Sequence, residues 1–347
     1  MRLDPAGISQ PNRGRRAPQA RHFLAMAAGL AVLLSAGCGG SSTSGGADSA
    51  TVTIAAVPGI ADAPLYLAKK DGLFAAAGLS NVVIKSYPNQ AAALDALHNS
   101  QADIAGSDYG NIFYQQSQSQ SGDLRILAAG YAASSGVLEV LTLPSSSIAS
   151  PLDLANQRVG LPSDDVLPIQ TPGEPISLEA AAATRVLTDY LANGADSVQW
   201  VPMTQEQEIY DLVHHRDGLK AILLSEPYIY QAESTFGAVE VFDVCSGYTA
   251  NLPLSGYVST SAWVQSNPVA VADFRAAIAK AQAQASMVGP IEQVLPAAAD
   301  MSAQHTDLAT IGSYPTTTSA NELDRVERLM WQAKMIKTVN VQKMLVG

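Results

Sequence analysis

From Thr51 onward, short β-prone apolar runs alternate with stretches of helical spacing. Val52, Ile54 and Ala56 form a first strand, closed by Pro58-Gly59. Pro64 to Lys70 follows as a helix, with proline at its start and Gly72 just past its end. Next come a strand at Val82-Val83-Ile84, a helix from Gln90 to Asn99 with Leu94 and Leu97 on one face, and a strand at Asp103-Ile104-Ala105. Asp108 to Gln118 then predicts a helix and Leu124 to Ala129 a strand. After that the alternation starts again. Arg158 to Leu161, Val198 to Val201, Lys220 to Leu224 and Val239 to Val244 predict strands. Leu178 to Asn193, Gln205 to His214 and Tyr228 to Phe236 predict the helices between them. Ser255 to Thr260 adds a strand, and Ala-rich helices run on from there. In the last clear one, Asn321 to Met335, Leu323, Val326, Met330 and Ala333 form an apolar stripe. Repeated βα units predict an α/β protein with mostly parallel sheets flanked by helices.

The two halves correspond. One strand ends Ile104-Ala105-Gly106-Ser107-Asp108-Tyr109 and its counterpart Ile222-Leu223-Leu224-Ser225-Glu226-Pro227-Tyr228. Each delivers a Ser-acidic pair into a helix start. In open α/β sheets, ligands gather beyond the carboxyl ends of the strands. Two such sheets facing each other would put both turns on one cleft.

The first fifty residues follow another pattern. Arg13, Arg15, Arg16 and Arg21 precede an uncharged run from Phe23 to Leu34. That run is too short to span a bilayer core of about 30 Å and fits a secretory signal. Ser35-Ala36-Gly37-Cys38 resembles the end of a bacterial lipoprotein signal, which implies lipidation of Cys38. Gly39 to Gly46, rich in Gly and Ser, has the composition of a flexible tether. The alternative is an uncleaved anchor helix; both place the body outside the cytoplasm at a membrane. The expected organisation is a signal over 1–37, a tether over 38–50, lobe one over 51–142 plus 247–347, and lobe two over 143–246. Crossings near 137–143 and 244–252 would form the hinge.

Charge and cysteine count narrow the function. The net charge of −11 argues against nucleic-acid binding, all the more because five arginines lie in the first 37 residues. Two cysteines exclude a disulfide scaffold or a Cys-rich metal site, and Cys245 is expected as a buried small hydrophobe. His214 and His215, adjacent on a helix, point about 100° apart and do not share an ion easily. His98 and His305 have no partners at ligand spacing, so neither a metal nor a cofactor is expected. No phosphate-loop pattern and no Gly-x-Ser-x-Gly elbow occur.

Several stretches carry a family resemblance. These are Pro58-Gly59 with Ala63-Pro64-Leu65-Tyr66-Leu67-Ala68-Lys69-Lys70-Asp71-Gly72-Leu73-Phe74, then Ala102-Asp103-Ile104-Ala105, and Leu152-Asp153-Leu154 leading to Arg158-Val159-Gly160. Glu226-Pro227-Tyr228 with Gln231-Ala232-Glu233, and Pro253 to Val258 with Asn267-Pro268, complete the set. Collinear over about residues 51–290, they resemble the nitrate/sulfonate/taurine and pyrimidine-precursor solute-binding proteins, the NMT1/THI5-like and SsuA/TauA-like group. The resemblance implies a two-lobed type II periplasmic-binding-protein fold with a two-crossing hinge. It also implies a non-enzymatic role as the extracytoplasmic receptor of an ABC importer. Its partners would be a small solute, a permease with its ATPase subunit, and the membrane through Cys38; a monomer is expected. Pro162 to Pro175 is longer and richer in proline than the family's short loop there, and Ser225 replaces a frequent aromatic. The rivals are a pyrimidine-synthesis enzyme of the same fold, against which the lack of a Cys cluster speaks, and a ligand-sensing domain.

The candidate ligand residues lie at strand–helix junctions. Pro58 and Gly59 follow the first strand. Ser107 and Asp108 either line the cleft or cap a helix. Glu226 either accepts from an amine on the ligand or pairs with a helix dipole. Tyr66, Tyr109, Tyr131, Tyr228 and Tyr257 offer flat faces and hydroxyls, with core packing as the alternative for any one of them. Ser134 and Ser135 offer hydroxyls beside Gly136. Two carboxylates on one cleft favour a zwitterion or an amine-bearing heterocycle over a dianion.

Overall fold

The computed structural model describes residues 51–118, 123–163, 166–168, 177–191, 195, 197–299, 301, 306 and 308–347. Among them are ten strands: β1 Val52–Ala56, β2 Val82–Ser86, β3 Ile104–Asp108, β4 Leu124–Ala129, β5 Leu138–Thr142, β6 Arg158–Pro162, β7 Gln199–Met203, β8 Leu219–Ser225, β9 Val239–Asp243 and β10 Ser255–Thr260. They form two five-stranded sheets, ordered β2-β1-β3-β10-β4 and β7-β6-β8-β5-β9. In the first, β1 runs parallel to β2 and β3, while β10 is antiparallel to β3 and β4. In the second, β6 runs parallel to β7 and β8, while β5 is antiparallel to β8 and β9. Each sheet therefore has four strands in one direction and one against them.

The reversed strand is the one that enters after a crossing. β5 follows the passage from the first sheet, and β10 follows the return. The sequence reading carried lobe one to residue 142, yet β5 pairs within the second sheet. The first crossing accordingly covers 130–137. The return lies between β9 and β10, close to the expected 244–252.

Helices cover both faces of each sheet. α1 (Ala63–Lys70), α2 (Leu73–Ala77), α3 (Gln90–His98) and α4 (Tyr109–Gln118) follow strands of the first sheet. α5 (Leu178–Leu191), α6 (Gln205–Val213) and α7 (Tyr228–Phe236) serve the second. α8 (Ser261–Ser266) and α9 (Pro268–Ala285) follow β10. Asn89 caps α3 through its side chain, as Thr204 does α6.

Three buried apolar clusters hold these layers. Ile54, Leu65, Phe74, Tyr257 and Phe274 pack one face of the first sheet against α1, α2 and α9. Phe274 stacks on Phe74 at 6.1 Å and meets Tyr257 edge-on at 5.5 Å. Ile209, Leu212, Ile222, Leu224 and Ile229 pack one face of the second sheet under α6 and α7. The largest cluster joins the remaining faces, from Ala55, Ala105 and Phe113 through Leu161 and Leu187 to Val326 and Met330 of the C-terminal helix Ala320–Gln332. The two lobes thus meet on a shared apolar seam.

Candidate functional site

In the middle of the first sheet, β3 ends on Asp108 and α4 begins at once. Asp108 Oδ1 accepts from Asn111 N at 2.8 Å, and Oδ2 from Asn111 Nδ2 at 2.8 Å. The carboxylate therefore caps α4, the alternative weighed for it from sequence. Burial pushes its pKa up to about 6. Ser107 is buried, and its Oγ has no hydrogen-bond partner among the described residues. A Cβ on Gly110 would lie 3.2 Å from Leu178 Cβ, so the first turn of α4 abuts the first turn of α5 in the other lobe. Ser177 Oγ accepts from Ala180 N at 3.1 Å at the start of α5. Two helix N-termini, each bearing partial positive charge, come together here.

The β1 exit is organised by a residue the sequence reading missed. Pro58 is exposed, and Gly59 is half-buried in an extended conformation. Behind them, buried Asp62 accepts from Val57 N at 3.2 Å and so ties the loop to the start of α1. A Cβ on Gly106 would sit 2.7 Å from Asp62 Oδ1, which explains glycine there. Tyr257, buried in β10, turns its hydroxyl toward this carboxyl. Tyr66 is half-buried, and burial raises its pKa. Burial raises the Asp62 pKa to about 7. The only signal in the chain was a lone acid within Ile60-Ala61-Asp62-Ala63-Pro64-Leu65.

A third group gathers at the crossings. Tyr131 is buried; its N–H donates to Ser255 Oγ at 3.0 Å, and its hydroxyl oxygen accepts from Gly312 N at 2.6 Å. Its ring lies 5.3 Å from that of Tyr314, whose hydroxyl donates to Ile60 O at 2.8 Å. Glu226 Oε1 accepts from Thr310 N at 3.0 Å, and Oε2 from Tyr230 N at 3.2 Å. Residues 310–314 therefore form a strap from the end of β8 in the second sheet to the first crossing, and Ala132 pairs with both Ser313 and Pro253 beneath it. Two chain passages, 130–137 and 244–254, run between the sheets, and this third segment lies beside them. Burial raises the Glu226 pKa.

The other candidates are placed as follows. Ser134, half-buried, and Ser135, exposed, make the turn closed by Val137 N on Ser134 O at 3.2 Å. Tyr228 turns to α6, where its hydroxyl donates to Glu206, and so stands apart from the Glu226 contacts. Tyr109 is buried, and with Tyr131 it borders a cavity of about 370 Å³ beside the return crossing. Cys245 is buried, and burial pushes its thiol up to about 12. Cys38 lies outside the described residues, as do His305 and most of the proline-rich loop.

The geometry can be set beside known proteins. The family model described as NMT1/THI5 like matches residues 61–288. A search of curated protein sequences returns no match. The fold is similar to that of the periplasmic aliphatic sulphonate binding protein SsuA from Escherichia coli, with a TM-score of 0.66 and 16% identity over 86% of this chain and 92% of that one. It is similar to the periplasmic nitrate-binding protein NrtA from Synechocystis PCC 6803, with a TM-score of 0.62 and 14% identity over 86% of each chain. It is also similar to the desulfurization enzyme DszB, with a TM-score of 0.61 and 16% identity over 85% of this chain and 96% of that one. With its family model spanning well over half the sequence and both lobes present, the chain belongs to the NMT1/THI5-like family.

Proposed function

We propose that the protein is an extracytoplasmic solute-binding receptor of an ABC importer, anchored through lipid at Cys38, that takes a small organic solute between its lobes and delivers it to a permease. The observation that carries this reading is the junction of α4 and α5. Helix starts from two different lobes converge there, and the buried Ser107 hydroxyl beside them has no partner among the described residues. A solute held at such a junction touches both lobes and so stabilises the closed state over the open one. Lipid anchoring would keep the receptor near its permease and raise its effective concentration.

The chemistry of the junction favours an acceptor-rich solute. Asp108 already accepts two bonds as a cap and Glu226 two from backbone donors, so both carboxyls are engaged within the protein. The Ser107 hydroxyl and the partial positive charge of two helix starts, each already capped in part by Asp108 or Ser177, suit an oxyanion of the sulfonate or nitrate kind, which the names of SsuA and NrtA also suggest. This shifts the balance from the zwitterion or amine-bearing heterocycle expected from two facing carboxylates. The likeness to DszB keeps an enzyme in view. The thiol of Cys245 is buried and held protonated, which makes it a poor nucleophile.

A thermal-shift screen of nitrate, alkanesulfonates, taurine and pyrimidine precursors tests the reading, because a solute that binds only the folded form raises Tm. A sulfonate or nitrate that raises Tm and is recovered chemically unchanged is the expected result. A solute consumed on incubation would contradict it.

A further inference from the structure

Glu139 is the second residue of β5, where the first crossing enters the second sheet. It is buried, and its Oε2 has no hydrogen-bond partner among the described residues. Burying an ionised carboxylate without a partner is costly, so the position favours the neutral acid. Its surroundings push the same way. On β9, Asp243 lies directly opposite Glu139, and Glu240 lies opposite Leu141, the next residue of β5 on that face. Like charges set across a strand pair destabilise it. α7 packs over this face through Ile229 and Ala232, and it carries Glu233 beside the phenols of Tyr228 and Tyr230. Glu226 follows the end of β8, whose Leu224 pairs with Glu139. Lys220, the one cation of β8, sits toward the other end of that strand. Cys245, just past β9, has a thiol that burial keeps neutral. None of the five carboxyls enters an ion pair among the described residues. Burial first, and then the other carboxylates, push the pKa of Glu139 up to about 7.

The same carboxyl borders the strap. A Cβ on Gly136 would lie 3.3 Å from Thr310 Cγ2 and 3.6 Å from Glu139 Oε1. Both side chains therefore crowd one glycine, whose φ of 82° lies in the left-handed region. Thr310 N is also the amide that Glu226 Oε1 holds at 3.0 Å. The start of the strap is thus bonded to one carboxyl and set close to a second.

We propose that Glu139 is a proton-operated release for the strap. With its proton in place, Glu139 is neutral and Thr310 stays bonded to Glu226. With the proton lost, a new buried charge faces Glu226, Asp243, Glu240 and Glu233. β5 and β9 are tied into a ladder, whereas the strap belongs to no strand, so the strap is the part that yields. The strapped state binds this proton more tightly than the released state. Its hold is therefore complete at low pH and is lost as pH rises through about 7.

The test needs no solute. Amide hydrogen exchange of the full chain is followed by NMR from about pH 5.5 to about pH 8, each rate taken relative to that of an unstructured amide. In the wild type, protection of Thr310 and Gly312 should fall about fivefold or more across this range. Glu139→Gln keeps the shape of the neutral acid and should abolish the fall, while Asp62→Asn should leave it in place. No fall in the wild type, or the same fall in Glu139→Gln, would overturn the proposal. Should Glu139→Gln fold poorly, a carbon-13 titration of the Glu139 carboxyl in the wild type decides. A midpoint near 7 that coincides with the loss of protection is the expected result. A midpoint near the ordinary 4.5, or one apart from the loss of protection, would overturn it.

Discussion

Asp62 shows how much one side chain organises. Its carboxyl holds the loop after β1 by accepting from Val57 N, and it fills the space that a side chain at position 106 would need. Gly106→Ala should therefore drive a methyl into a buried carboxyl and cost about 1–3 kcal/mol, read as a lower urea midpoint at unchanged slope. The same burial sets a pH dependence. Asp62 and Asp108 keep their protons in the fold up to about 7 and about 6, whereas in the unfolded chain they release them near 3.8. Between those limits the folded state binds more protons than the unfolded one, so stability falls as pH rises. The urea midpoint should be higher at about pH 5 than at about pH 8, and Asp62→Asn should flatten the difference. A midpoint that rises with pH across this window, unaltered by Asp62→Asn, would show that these carboxyls ionise freely. The residue missed in the sequence is thus the one whose burial matters most. A lone aspartate after an apolar pair gives no sign that the chain will fold over it.

At the scale of elements, the strap is the part with least local support. Residues 310–314 form no strand of their own and are held by side chains at the start and the middle, Glu226 at Thr310 N and Tyr131 at Gly312 N. Tyr131→Phe leaves the Gly312 N–H without its acceptor and should cost about 1–2 kcal/mol. Amide hydrogen exchange should then quicken at 310–314 and stay unchanged in β1 and β3. The strap was not legible in the sequence, because its bonds run to residues far away along the chain. β5 was missed for another reason. Val137 to Leu143 is a β-prone run, but no helix follows it, and a reading built on βα units passes over a strand that breaks the alternation. Where strand and helix do alternate, from β1 to β4 and from β6 to β9, hydrophobic period and turn residues placed the elements well. The Ser-acidic turns were placed correctly too, yet the partners of Asp108 and Glu226 depended on side-chain packing that spacing does not encode.

At the scale of the whole molecule, the same sheet is built twice, each with one reversed strand contributed after a crossing. The starts of α4 and α5, one from each lobe, meet at Gly110 and Leu178 beside an apolar cluster that the lobes share. A solute seated there should close the lobes. The direct measurement is small-angle X-ray scattering of the protein with and without the solute that raises its Tm. A smaller radius of gyration at saturation is expected. An unchanged radius, with calorimetry showing the site filled, would contradict binding by closure of the two lobes.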